Sequence, residues 1–356
     1  LRKGLAAMAL AAVAAFSSAP VAAQGEGERM LIIAHRGASG ERPEHTLASY
    51  ERAIDQGADY VEPDLVATSD GVLVARHEND ISDTTDVSTR PEFEDRRRTK
   101  EIDGQLVTGW FVEDFTLAEL RSLRAKERLP LIRAANARFD GLYQVPTFAE
   151  IVALVRAKEA ETGRRIGIYP ELKHPGFLLQ EAGIDTVDLL VLALQEAGYT
   201  SASDPIFVQC FEIGPLKRLD RLTDVPLVQL VHFIGGPADE PALTYADMAT
   251  PTGFAAIADY ADAIGIDLRY IMREDGIDGA VIEDAKATGL AVHGWTLRKE
   301  NVFLPPPFKS GGGEAATGDF EAIWNALAAT GMDGVFTDDP RLAAAVQRGS
   351  QPAGGN

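Results

Sequence analysis

Eight short apolar runs, rich in β-branched residues and separated by longer helix-like stretches, leave this chain few folds to choose from. The runs span residues 30–35, 59–66, 166–172, 205–211, 226–231, 262–268, 290–297 and 334–338. Helices are expected between them over 46–56, 148–161, 185–197, 277–288 and 320–329. A repeated strand–helix order predicts an α/β protein with a parallel sheet and helices outside. Eight strands close a (β/α)8 TIM barrel, with a doubly wound open sheet as the alternative.

One stretch breaks the alternation. In "DYVEPDLVATSDGVLVARHE" a strand-like run lies on each side of Ser69-Asp70-Gly71, a turn signal. This predicts an antiparallel hairpin after the second barrel strand. If Asp70 is its centre, position 63 faces position 77, and His77 returns beside Glu62 and Asp64. The next residues, about 78–145, are polar and irregular, which predicts a small inserted subdomain. Their Arg96-Arg97-Arg98 cluster reads as a solvated face. A second irregular loop, 298–319, mixes prolines with a Gly triplet and reads equally as an entrance wall, a lid or a plain surface loop.

The first residues, "LRKGLAAMALAAVAAFSSAPVAAQ", have a basic start, an apolar centre and small residues before a cleavage point. This is the pattern of a signal peptide over 1–23; the apolar run is shorter than the ~20 residues of a membrane span. A linker over 24–29, a barrel over 30–345 and a flexible tail over 346–356 complete the expected organisation. Loss of Arg2 and Lys3 with the signal would take the net charge from −20 to −22. So acidic a chain is a poor partner for nucleic acid or anionic lipid. The expectation is a secreted, periplasmic protein with no stable membrane association. Cys210 is the single cysteine, so no internal disulfide forms, and it reads as a small buried apolar residue.

Reactive groups of a parallel barrel gather at the C-terminal ends of its strands. Reading those ends gives His35-Arg36, Glu62-Pro63-Asp64 and Glu171-Leu172-Lys173, with His77 arriving from the hairpin. By strand alternation Glu62 and Asp64 face one side, about 6–7 Å apart. Two such carboxylates repel unless a cation lies between them. With Glu171 as a third, they predict a site for a hard divalent metal rather than exposed acids at a strand end. His35 and His77 end apolar runs and converge on the same place. A pair of this kind can divide proton transfer, one ring neutral and one protonated near pH 7. Arg36 and Lys173 add two fixed positive charges. Metal, acids and bases together leave one net positive charge, which suits a phosphodiester.

The blocks "HRGASGERPEHTLASY", "GADYVEPDLVATSDGVLVARHE", "IGIYPELK", "VQCF", "VQL", "GWTLR" and "GVFTDDP" resemble the glycerophosphodiester phosphodiesterases, and among them the periplasmic type. The resemblance spans about residues 31–342. It implies a (β/α)8 barrel with an inserted subdomain, a divalent metal (calcium, with magnesium as the alternative) and two essential histidines. It also implies small glycerophosphodiester substrates such as glycerophosphocholine, cleaved to glycerol 3-phosphate and an alcohol. On matching residues, Glu62, Asp64 and Glu171 would hold the metal, His35 would be the base and His77 the acid. Arg36 and Lys173 would contact phosphate, and Glu44 would support the site from behind. His45 stands where many relatives carry Asn and is read as a helix-start residue. Trp295 reads as a wall against the glycerol or alcohol, or as core. His174, His232 and His293 default to structure. The expected course passes through a cyclic phosphate. A related barrel phospholipase that stops at the cyclic product, of the sphingomyelinase D or phosphatidylinositol-specific phospholipase C kind, is the alternative.

Overall fold

A computed structural model describes residues 29–350. The expected signal peptide, most of the linker and the end of the tail lie outside the described residues. Eight parallel strands run in the expected places: β1 (Leu31–His35), β2 (Tyr60–Glu62, resumed at Asp64–Ala67), β3 (Gly167–Ile168, resumed at Glu171–Leu172), β4 (Val208–Cys210), β5 (Leu227–Val231), β6 (Ala263–Asp267), β7 (Ala291–Leu297) and β8 (Gly334–Thr337). Each pairs with its neighbour in sequence, and β8 returns to β1. The sheet therefore closes on itself as a (β/α)8 barrel.

Two strands depart from the expected continuous runs. β2 breaks at Pro63, and β3 breaks between Ile168 and Glu171 around Tyr169-Pro170. Proline has no N–H for the ladder, so regular pairing stops there. β2 and β3 nevertheless pair on both sides of the break, Val61 with Ile168 below and Asp64 with Glu171 above. The second half of β2 also pairs antiparallel with a return strand, Leu73–Ala75. Its register, Leu65 opposite Ala75 and Ala67 opposite Leu73, is the one expected from a turn centred on Asp70.

Helix α1 (Leu47–Gln56) shows how local chemistry sets the boundaries. Thr46 caps its start by accepting a hydrogen bond from the Ser49 amide, and Gly57 ends it in the left-handed region at φ 103°. Tyr50, Ala53 and Ile54 form its buried stripe. The helix expected over 277–288 is shorter, Ala280–Lys286, because Gly276–Ile277 pairs with Met272–Arg273 instead. The last helix, Pro340–Ser350, runs past the expected end of the barrel at 345. Arg29 reaches across to Gln347, so both ends of the described chain meet there.

The inserted segment has its own apolar cluster, with Ile81, Val87, Phe93, Trp110, Phe115 and Leu123 among its members, and a two-stranded sheet of Arg98–Ile102 and Gln105–Gly109. The arginine cluster there is more tied down than a solvated face. Arg96 bonds Glu119 and covers Phe93 and Phe115, and Arg98 pairs with Asp114. Among the described residues, no helix is long and apolar enough to cross a membrane.

Candidate active site

The three carboxylates expected to bind metal do converge. Ligand oxygens of Glu62, Asp64 and Glu171 lie within 4.8 Å of one another, and all three residues are buried. They do so by a different route from simple strand alternation. Pro63 breaks the strand between the first two, and pairing of Asp64 with Glu171 brings in the third. Lys173 Nζ approaches Asp64 Oδ1 (3.4 Å) and Glu171 Oε1 (2.7 Å). Yet neither oxygen accepts a well-directed hydrogen bond, nor does Oε1 of neighbouring Gln209. Orphaned buried oxygens are expensive unless something positive satisfies them. An all-oxygen set of three acids fits a hard divalent cation.

The protonation of the acids agrees. Burial, then Asp64 and Glu171, raises the Glu62 carboxyl well above its usual range. Burial raises Glu171 likewise, against the pull of Lys173. Asp64 is held well below the usual range: burial works against it, but Lys173, His77 and His45 prevail. Three acids this close cannot all ionise without a cation.

Arg36 sits at the centre of the rim. Its backbone takes the left-handed conformation (φ 58°), which turns its amide onto Glu62 Oε2 at 2.7 Å. Gly37 continues the turn, and a Cβ there would lie 2.4 Å from Ser49 Oγ. The Arg36 guanidinium lies 3.1 Å from Glu44 and 3.5 Å from Asp64. Glu44 thus touches the rim through Arg36. His45 corrects the sequence reading. It precedes the cap of α1, but its ring is fully buried and joins Asp64 (2.8 Å) to the Tyr50 hydroxyl (2.7 Å). It supports the Asp64 carboxylate, placed there by another left-handed backbone (φ 53°).

His35 and His77 both line one cavity of about 800 Å³, with Arg36, Glu62, Glu171 and Lys173. Each ring has a carboxylate behind its Nδ1, and neither partner was anticipated. Asp338 Oδ1 lies 2.6 Å from His35 Nδ1, and Glu78 holds His77 Nδ1. Arg36 Nε donates to His35 Nε2 (3.2 Å), so His35 is the tautomer with its proton toward Asp338. Burial and then Arg36 push His35 down to about 4, and burial, Arg36 and Lys173 push His77 the same way. Two fixed cations beside enclosed rings disfavour the charged imidazolium in both.

Behind these carboxylates stand two arginines of the insert. Arg128 grips both Glu44 (2.7 and 2.8 Å) and Glu78 (2.7 and 2.9 Å). Arg133 bonds Asp338 (2.6 Å) and Glu300 (2.7 Å), while Arg298 adds a second bond to Asp338 (2.9 Å). The loop 298–319 is therefore an anchored wall: Glu300 holds Arg133, and Val302 and Phe303 line the cavity. Trp295 lines it too; its indole donates to Gly265 O (2.9 Å), and its ring stands at 90° to Phe211. Cys210 is buried at the cavity wall. Asp338 ends a barrel strand run, so the rule that found Glu171 applies to it as well. No local signal marks Arg128 or Arg133, which lie in irregular sequence.

The sequence signature of the Glycerophosphoryl diester phosphodiesterase family matches residues 35–342. A glycerophosphodiester phosphodiesterase of Arabidopsis thaliana is 33% identical over 329 residues, covering 87% of this chain and 84% of its own length. One of Treponema pallidum is 34% identical over 306 residues, covering 77% and 82%. An Oleispira antarctica phosphodiesterase, solved in complex with the product sn-glycerol-3-phosphate, shares the fold at a TM-score of 0.59 and 20% identity, over 90% of this chain and 97% of its own.

Proposed function

The chain belongs to the glycerophosphoryl diester phosphodiesterase family and is a glycerophosphodiester phosphodiesterase, releasing sn-glycerol 3-phosphate and an alcohol; from that premise we propose how its residues do so. The observation that supports the reading is the buried three-acid pocket, in which Asp64 Oδ1 and Glu171 Oε1 accept no directed hydrogen bond, ringed by His35, His77, Arg36 and Lys173. Glu62, Asp64 and Glu171 would hold a divalent cation, which when bound would supply positive charge for the phosphate oxygens and the transition state. Calcium is the proposed ion and magnesium the alternative, since three protein carboxylates exceed what magnesium usually takes.

Arg36 and Lys173 contact the phosphate, and Trp295 walls the organic part of the substrate. His35 Nε2 takes the proton of the glycerol 2-hydroxyl as that oxygen attacks phosphorus. Its Nδ1–H faces Asp338, which stabilises the resulting imidazolium. The P–O bond to the alcohol breaks, and His77 gives the departing oxygen its proton. Burial, Arg36 and Lys173 disfavour the charged His77 ring, so the negative charge of the substrate phosphate must favour its protonation first. Water then opens the cyclic phosphate: His77 takes a proton from water, and His35 returns one to the 2-oxygen.

The test is one assay. Protein stripped with chelator should be inactive on glycerophosphocholine, and calcium should restore release of glycerol 3-phosphate better than magnesium. No activity with any divalent ion on any glycerophosphodiester would sink the proposal. We also propose that residues 1–23 are a leader directing secretion to the periplasm; a mature protein that keeps those residues in the cell of origin would contradict it.

A further inference from the structure

We infer that Arg128 and Arg133 are positioning residues that fix the carboxylates behind His77 and His35, so that the insert completes a site the barrel alone leaves unfinished. This rests on the reading of the two histidines above. The two arginines are close neighbours in the insert, yet each reaches a different histidine. Arg128 meets two carboxylates with four short bonds, Glu44 on one side and Glu78 on the other. Arg133 joins Asp338 to Glu300, and its third nitrogen donates to Ser39 O at 3.2 Å. Asp338 and Glu78 are the direct Nδ1 partners of His35 and His77.

Holding the insert in place does not call for these charges. It has its own apolar cluster, extending onto Val66 and Val74 of the hairpin. A buried ion pair also contributes little to stability compared with a well-packed apolar contact. What a planar guanidinium adds is direction. It keeps a carboxylate ionised and aimed, which lysine cannot do in the same way. An imidazole acts as base or acid only if the group behind it fixes tautomer and orientation. One pair of arginines therefore sets both proton-transfer groups, and the chain Glu78–Arg128–Glu44–Arg36–His35 links them across the rim.

The experiment uses the full chain with calcium and the variants Arg128→Gln, Arg128→Lys, Arg133→Gln and Arg133→Lys. Each is assayed on glycerophosphocholine and on glycerophospho-p-nitrophenol, whose phenolate departs without a proton. Arg133 variants should lose about 10–100-fold in kcat on both esters, with KM nearly unchanged. Arg128 variants should lose as much on the choline ester but little in the first-turnover release of nitrophenolate, because choline alone needs an acid to depart and His77 acts on the nitrophenyl ester only afterwards, in ring opening. Lysine should restore only part of the rate, and it replaces glutamine where that variant does not fold. An inverted split upholds the positioning role and exchanges the roles of the two histidines. Unchanged kcat, or equal losses on both esters from every variant, overturns the inference. A readout without turnover guards against an inactive wild type: the downfield imidazole N–H signal absent from His35→Gln should shift in Arg133→Gln. Its persistence unchanged would also overturn the inference.

Discussion

Two buried histidines of the same barrel, His35 on β1 and His293 on β7, meet different fates. Both are pushed down to about 4, and burial is the main cause in each. Both share one short hydrogen bond through Nδ1, His35 with the Asp338 carboxylate (2.6 Å) and His293 with the Tyr169 hydroxyl (2.7 Å). His293 lies among Tyr169 and Phe207, both edge to its ring, in the aromatic filling of the barrel. Gly334 beside it leaves room, since a Cβ there would lie 2.9 Å from its Cδ2. His35 opens onto the cavity, with an ionised carboxylate behind and two arginines behind that. A lowered pKa thus marks burial in both rings. The charge of the partner and access to a cavity separate the reactive ring from the packed one.

The largest test of that contrast is removal of each ring. His35→Ala should lower turnover by about 10²–10⁴-fold. Its stability should hardly move, because Asp338 keeps Arg133 and Arg298 as partners; urea unfolding checks this beside the assay. His293→Ala should do the reverse. Loss of a fully packed ring and an orphaned Tyr169 hydroxyl should cost about 3 kcal/mol, with turnover changed less than about tenfold. Equal damage to activity from both variants would break the comparison.

Acid should act through stability on both rings alike, and His293 can be read apart from the chemistry. A histidine whose folded pKa lies below its unfolded value binds fewer protons folded than unfolded, so stability falls as pH drops from about 6.5 towards 4. For His293 the whole loss is about 3 kcal/mol. Urea unfolding across that window should show a slope that flattens in His293→Phe; an unaltered slope would mean that other groups carry it. The smallest effect is expected from Tyr169→Phe, about 1 kcal/mol of stability with normal turnover. A loss of turnover there would draw the aromatic core into the chemistry.

Much of this was legible along the chain. Eight apolar runs announced eight strands, and the hairpin register followed from Ser69-Asp70-Gly71 because a turn centre fixes which residues face each other. The convergence of Glu62, Asp64, Glu171, His35 and His77 followed from the rule that strand ends share a rim. The misses share a cause. His45 reaches Asp64 through a left-handed backbone that few side chains adopt, and no pattern foretells it. Arg128 and Arg133 sit in an insert without periodicity, so nothing local tells which distant carboxylate each will meet.

The sequence by itself determined the strand count, the order of the elements and the residue types at the barrel rim. Periodicity and turn chemistry act over a few neighbouring residues and can be read there. Only the tertiary structure decided which carboxylate stands behind which histidine and that burial and fixed cations disfavour charge on both rings. It alone also revealed that an irregular insert grips the site. Those outcomes depend on desolvation and on contacts such as His35 with Asp338, 303 positions apart, and such contacts exist only once the chain has folded.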